Sequence, residues 1–174
     1  MLAPDDKLKF SVKPYLAATP RFAGGADTPR DFLERCLADL AALEPKIGAF
    51  VVLNLERARA TADESTARWR AGRPLSKIDG MPIGIKDIIE TADMPTEQGS
   101  PLFAGFRSER DGASVKALRE AGAVIVGNNG EGKGGKPFET PTYACRPPGV
   151  YHGPFKSEKG CMLYEIHYYD ESGK

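Results

Sequence analysis

The sequence has few of the residues that build disulfide frameworks and metal centres. It contains two histidines and three cysteines in 174 residues, and no two cysteines form a C-x-x-C pair. An odd number of widely spaced cysteines predicts free thiols, as in a reducing compartment. We expect Cys36, Cys145 and Cys161 to be buried as small hydrophobic side chains.

Excess charge and long hydrophobic runs are also lacking. The 24 basic and 24 acidic side chains give a formal net charge of zero, which predicts no nucleic-acid partner and no attraction to an anionic membrane. No apolar run approaches the roughly 20 residues that cross a bilayer. The start, MLAPDDKLKF, has acidic residues where a secretory peptide would be basic. The expected location is the cytoplasm.

The composition changes near residue 127. The first 126 residues hold 20 alanines and one tyrosine, whereas the last 48 hold one alanine, five tyrosines and nine of the 19 glycines. Such a shift is large for one continuous domain. We therefore predict an N-terminal extension over residues 1–27, an α/β part over 28–127 and a short β-rich part over 128–174.

The middle part alternates between helix and strand patterns. Thr28 and Pro29 form a helix start, a hydroxyl cap followed by proline, and leucines then recur at helical spacing until Pro45, where we expect the helix to end. Helix patterns follow at 56–70 and 113–121, and strand patterns at 47–53, 81–89 and 123–126. This order predicts an α/β sheet.

A glycine-rich stretch, GNNGEGK at 127–133, has the spacing of a phosphate-binding loop. Such a loop needs Ser or Thr after the lysine, and position 134 is glycine. It must also open a helix, which the following GGKPFETP does not favour. We predict that this stretch is not a nucleotide site.

A lysine stands within an apolar strand pattern, MPIGIKDII. Alternation places Ile83 and Ile85 on one face and Gly84 and Lys86 on the other. The Lys86 ammonium either reaches water along its own stem or is buried, and burial favours the neutral amine, which can act as a base. The pattern leaves both alternatives open.

Three motifs in order surround this lysine. They are G-x-P-I-x-x-K-D at 80–87, T-x-x-G-S at 96–100 and D-x-x-x-V-x-x-L-R-x-A-G-A-x-I-x-G at 111–127. Together they resemble the amidase signature family over about residues 28–127. The resemblance implies the N-terminal part of a mixed α/β sheet with helices.

The resemblance also implies a chemistry, the hydrolysis of small-molecule carboxylic amides through a serine nucleophile without a cofactor. Lys86 matches the family's strand lysine, which accepts a proton from a bridging serine held in a cis peptide; that serine activates the nucleophile. Backbone N–H groups of a glycine- and serine-rich loop would stabilise the oxyanion. Asp87 is expected to orient the strand end, and Ser100 to form a turn.

The sequence departs from the family pattern at Asn128. Both family serines lie downstream of this point in a glycine-serine repeat, whereas Ser157 and Ser172 are the only serines after residue 127 and lie outside such a repeat. Lys86 then has no hydroxyl to activate, and a base alone contributes little to amide cleavage. We expect a chain truncated before the serine motif and inactive alone.

The tail, RPPGVYHGPFKSEKGCMLYEIHYYD, resembles the closing strands of a cupin barrel. The P-x-G-x-x-H element ending at His152 matches the second cupin motif, whose histidine is a metal ligand, and so implies a divalent metal at His152. The first motif, H-x-H with a following glutamate, is absent. His167 shares a strand face with Glu165, where an exposed or hydrogen-bonded role is expected.

Three interpretations remain open. The chain is an amidase-type hydrolase cut before its serines, a cupin-like metal- or sugar-binding module, or a non-functional fusion of two gene fragments.

Part of a sheet joined to part of a barrel leaves apolar faces and strand edges uncovered. We therefore predict marginal stability and self-association or aggregation. Size-exclusion chromatography with light scattering should give species larger than a monomer, together with a broad thermal transition. A monomer that melts in a sharp two-state transition would contradict this prediction.

Overall fold

The computed structural model describes residues 13–130; of the part expected to be cupin-like, residues 128–174, all but 128–130 lie outside this range. The elements in chain order are α1 (Tyr15–Ala23), α2 (Pro29–Ile47), β1 (Phe50–Leu53), α3 (Leu55–Arg70), β2 (Pro82–Lys86), a 3₁₀ turn (Pro101–Phe103), α4 (Ala113–Glu120) and β3 (Val124–Asn129). Among the described helices, none has the length and hydropathy needed to cross a bilayer.

The three strands form one sheet in the order β1-β3-β2. Strand β1 is antiparallel to β3, with Leu53 opposite Gly127. Strand β2 is parallel to β3, with Gly84 opposite Gly127 and Lys86 opposite Asn129. The predicted α/β fold with a mixed sheet is confirmed.

The start of α2 is confirmed and its predicted end is wrong. Thr28 is the cap, and its Oγ1 accepts a hydrogen bond from the Asp31 N–H at 3.0 Å. Pro45 lies inside the helix, which continues to Ile47. In the last turn a proline removes one hydrogen bond while its fixed φ suits the helix. The reversal comes instead at Gly48, which has φ 60° and donates to the Glu44 carbonyl.

Strands β2 and β3 both differ in length from their predicted ranges. Strand β2 stops at Lys86 because the chain turns there, with the Ile89 N–H donating to the Lys86 carbonyl at 2.9 Å. Strand β3 is longer than its apolar run and continues through Asn128 to Asn129. It therefore passes the predicted boundary at 127 by two residues.

Each face of the sheet carries its own apolar core. One face packs against α2 and α3 through the buried residues Leu33, Leu37, Ala58, Ala62, Val124 and Val126. The other packs against α4 and the segment after β2 through Ile85, Met94, Val115 and Ile125. Strand β3 contributes to both cores and is the central strand of the fold.

Helix α1 lies within the predicted N-terminal extension, where no helix was predicted from the sequence. Its Tyr15 and Phe22 are buried against Phe32 of α2 and Trp69 of α3. Tyr15 and Phe32 meet edge to face with ring centroids 5.0 Å apart, and Phe22 and Trp69 do so at 5.7 Å. Such pairs add to the stability gained from burial alone, so α1 is an integral part of the fold.

A buried residue, Asp79, joins this aromatic cluster and α3 to the loop that precedes β2. Its two carboxylate oxygens accept hydrogen bonds from Arg68 at 2.9 and 2.7 Å, which raises the pKa of the Arg68 guanidinium. The Leu75 N–H donates to the same carboxylate, and the Asp79 carbonyl accepts from Trp69 at 2.9 Å and from Tyr15. Burial raises the pKa of the Tyr15 phenol above its ordinary value.

The described cysteine, Cys36, is half-buried beside the aromatic cluster. Burial raises the pKa of its thiol, which suits a packing role. Cys145 and Cys161 lie outside the described residues, and their predicted burial stays a prediction.

Two glycines that face each other across β2 and β3 make a matched pair for mutation. A Cβ on Gly127 would overlap the Val52 carbonyl and lie 3.1 Å from the Leu53 Cα, both backbone atoms of β1. A Cβ on Gly84 would meet only the side chain of Asn129. We expect Gly127→Ala to lower the free energy of unfolding by about 2 kcal/mol and Gly84→Ala by under about 1 kcal/mol. Urea denaturation followed by circular dichroism measures both, and equal losses would contradict the prediction.

Candidate active site

Lys86 is the last residue of β2, and its side chain is exposed. The predicted division of faces is confirmed, because Ile85 is 5% exposed within the core whereas Gly84 and Lys86 face away from it. The Lys86 side chain is therefore exposed to water rather than buried. Strand β2 lies at an edge of the described sheet, and the side of this strand that carries Gly84 and Lys86 is exposed.

The next residue, Asp87, points inward and is 3% exposed. Its carboxylate accepts hydrogen bonds from the Glu97 N–H at 3.0 Å and the Gly99 N–H at 3.4 Å. The Asp87 backbone carbonyl accepts from the Gln98 N–H at 3.0 Å, and the Asp87 N–H donates to the backbone carbonyl of Asn129 in β3. Asp87 thus fixes the 97–99 turn against the end of the sheet, which is the orienting role that the sequence predicts.

The turn that Asp87 holds is tightly curved. Gln98 and Gly99 are both left-handed, with φ of 55° and 63°. A left-handed glutamine is uncommon, and the hydrogen bonds to Asp87 maintain it. Ser100 then caps the 3₁₀ turn, its Oγ accepting from the Leu102 N–H at 3.3 Å. This agrees with the structural role predicted for Ser100.

Lys86 and this turn enclose a small cavity of about 70 Å³. The residues around it are Lys86, Asp87, Ile88, Gln98, Gly99, Asn129 and Gly130. A volume of this size holds about two water molecules or one small polar group. The lining thus includes one lysine and two residues with carboxamide side chains, Gln98 and Asn129.

Apolar side chains stand in the segments that flank this cavity. Ile88 is 61% exposed and Leu102 is 89% exposed, and Phe103 and Phe106 form an exposed edge-to-face pair with centroids 6.1 Å apart.

A larger cavity of about 360 Å³ lies near the start of α3 and α4, but its carboxylates are already paired. Asp93 accepts from Arg119 at 2.6 Å and from Asn54 at 3.2 Å. Asp111 accepts from the Ala92 N–H at 2.8 Å and lies 3.0 Å from Arg119. These bonds join the end of β1, α4 and the loop between β2 and α4, which is a structural role.

No group of three or more histidine, cysteine, aspartate or glutamate side chains over residues 13–130 has the geometry of a metal site. His152 lies outside that range, as do His167, Ser157 and Ser172. A divalent metal at His152 stays a prediction.

Two residues of the cavity, Gln98 and Asn129, were not predicted from the sequence. Asn129 stands in a glycine-rich stretch that suggested a loop, whereas it is the last residue of β3. Only an extension of the strand pattern past Val126 could have placed Asn129 in a strand from the sequence. Gln98 is placed by the left-handed turn, for which Gly99 is the local indication.

The chain is similar to known amide-processing proteins. Residues 31–130 match the Amidase family. Over 111 residues the chain is 43% identical to a glutamyl-tRNA(Gln) amidotransferase subunit of Chloroflexus aggregans, covering 64% of this chain and 23% of that protein. The structure matches the peptide amidase of Stenotrophomonas maltophilia with a TM-score of 0.63 and 30% identity, covering 70% of this chain and 25% of the peptide amidase.

A likeness to fatty acid amide hydrolase, with a TM-score of 0.62 at 16% identity, supports the fold. The chain spans about a quarter of the length of the relatives it matches. The match to the Amidase family covers more than half of the chain and includes Lys86, the turn after it and β3. This protein belongs to the amidase family.

Proposed function

We propose that residues 31–130 supply the proton-accepting lysine of an amide hydrolase site. The observation that supports this is the placement of Lys86, exposed at the end of β2 beside a cavity of about 70 Å³. The exposed amine is free to meet a group from another part of an amidase fold. The proposed substrates are carboxylic amides, the class to which the names of the relatives point.

In the proposed reaction the neutral Lys86 amine accepts a proton from a serine hydroxyl. This bridging serine takes the proton of the nucleophilic serine, whose oxygen attacks the carbonyl carbon of the amide. The proton returns through the same groups to the leaving nitrogen, which departs as ammonia or an amine, and water then hydrolyses the acyl-serine ester to the carboxylic acid. Asp87 keeps Lys86 at the cavity by fixing the turn opposite it. The cavity is large enough for a hydroxymethyl group beside the amine.

The hydroxyl partner is missing from the sequence after residue 127, where Ser157 and Ser172 stand outside any glycine-serine repeat. We propose that this chain alone does not hydrolyse amides, because a base without a nucleophile and oxyanion donors contributes little. The activity requires the serine-bearing part of an amidase.

An assay of the isolated chain tests the proposal that this chain alone does not hydrolyse amides. Ammonia release from peptide amides and small primary carboxamides should equal the buffer rate for the purified protein. Turnover that disappears in Lys86→Ala but persists in Lys116→Ala would contradict it, since Lys116 is an exposed lysine of α4 far along the chain from the cavity.

A chimera tests the role of Lys86. Residues 13–130, which include α1 and the Thr28 cap, replace the corresponding segment of the Stenotrophomonas maltophilia peptide amidase, and kcat is measured by ammonia release. Lys86→Ala should lower kcat by about 10²- to 10⁴-fold, the range of a general base, and Lys116→Ala should leave it within about twofold. A folded, active chimera that tolerates Lys86→Ala would overturn the proposal.

A further inference from the structure

Asn129 carries a buried polar atom without a partner. Its Oδ1 is buried and has no hydrogen bond within the described part of the chain. The carboxamide lies flat against Gly84, since a Cβ built on that glycine would overlap Oδ1 and lie 3.0 Å from Cγ and Nδ2. An unpaired buried acceptor is costly, so a nearby donor would be strongly favoured.

Lys86 is a charged donor next to this acceptor on the paired strand. The parallel register sets Lys86 opposite Asn129 and Gly84 opposite Gly127, so Lys86, Gly84 and Asn129 share one face of the sheet. Lys86 and Asn129 line the same cavity of about 70 Å³. The other charged side chain there, Asp87, is an acceptor whose oxygens already receive backbone N–H groups.

We propose that Asn129 is a positioning residue for Lys86, its Oδ1 accepting a hydrogen bond from the ammonium. Gly84 is the floor of this arrangement, because any larger residue would displace the carboxamide. Asn129 lies close to the end of the segment that matches the Amidase family, residues 31–130. The catalytic meaning of the contact rests on the proposed function, whereas the contact itself can be tested without activity.

The test is the rate at which each lysine of the intact, purified chain is acetylated, measured by peptide mass spectrometry between pH 7 and 11. Acetylation requires the neutral amine, and an acceptor at the ammonium favours the charged form. Asn129→Leu should raise the Lys86 rate near pH 8.5 by about fivefold and shift its profile to lower pH. Asn129→Asp should lower the rate by about the same factor and shift the profile to higher pH.

Two internal references and one matched variant complete the design. Lys77 and Lys116 are exposed and lie outside the cavity, so their rates should stay constant, and far-UV circular dichroism of each variant checks that the fold is retained. Gln98→Gly removes the other carboxamide of the cavity and suits the left-handed backbone there. It should leave the Lys86 rate within about twofold.

An unchanged Lys86 rate in both Asn129 variants would overturn the proposal, as would a rise in Gln98→Gly that equals the rise in Asn129→Leu. If Asn129→Leu unfolds the chain, the comparison of Asn129→Asp with the wild type decides, and a rate that fails to fall is the overturning result. Because no turnover is measured, an inactive chimera leaves this result unaffected. Failure of the Asn129–Lys86 contact and failure of the proposed function are therefore distinguishable.

Discussion

The parallel pairing of β2 with β3 is the constraint on which the site depends. It aligns the carboxyl ends of the two strands, so that Lys86 and Asn129 end their strands side by side. Gly84 and Gly127 face each other in this pairing, and Gly84 leaves space for the Asn129 carboxamide. Gly127 also lets β1 approach from the opposite edge. One strand pair thus determines both the central sheet and the position of the amine.

Charge is distributed unequally along the segment that leads into and out of β2. Asp79 before the strand and Asp87 after it are buried, and both are satisfied by donors that hold distant segments together. Lys86, adjacent to Asp87, is exposed. A buried carboxylate is stable only when its hydrogen bonds are filled, so the two aspartates are rigid supports. Between them the one charged side chain is that of Lys86, which is exposed.

The sequence predicted the parts of the fold that depend on local periodicity and failed where tertiary contacts decide. The cap at Thr28, the faces of β2 and the mixed sheet follow from spacing and side-chain type. The end of α2 depended on a left-handed glycine rather than on Pro45, and the length of β3 depended on pairing with two neighbours. For the same reason Lys86 was predicted as a site residue, but Asn129 was not. Its place beside the lysine exists only in the paired sheet.

Helix α1 has a consequence for where the folding unit begins. The family match starts at residue 31, yet Phe32 and Trp69 inside it are covered by Tyr15 and Phe22. Shortening the polypeptide to the matched residues would remove the Thr28 cap of α2 and the Tyr15 hydroxyl that donates to the Asp79 carbonyl. It would also expose the aromatic cluster to solvent. The packed unit of this amidase segment is therefore larger than the residues that match the family, and it includes α1.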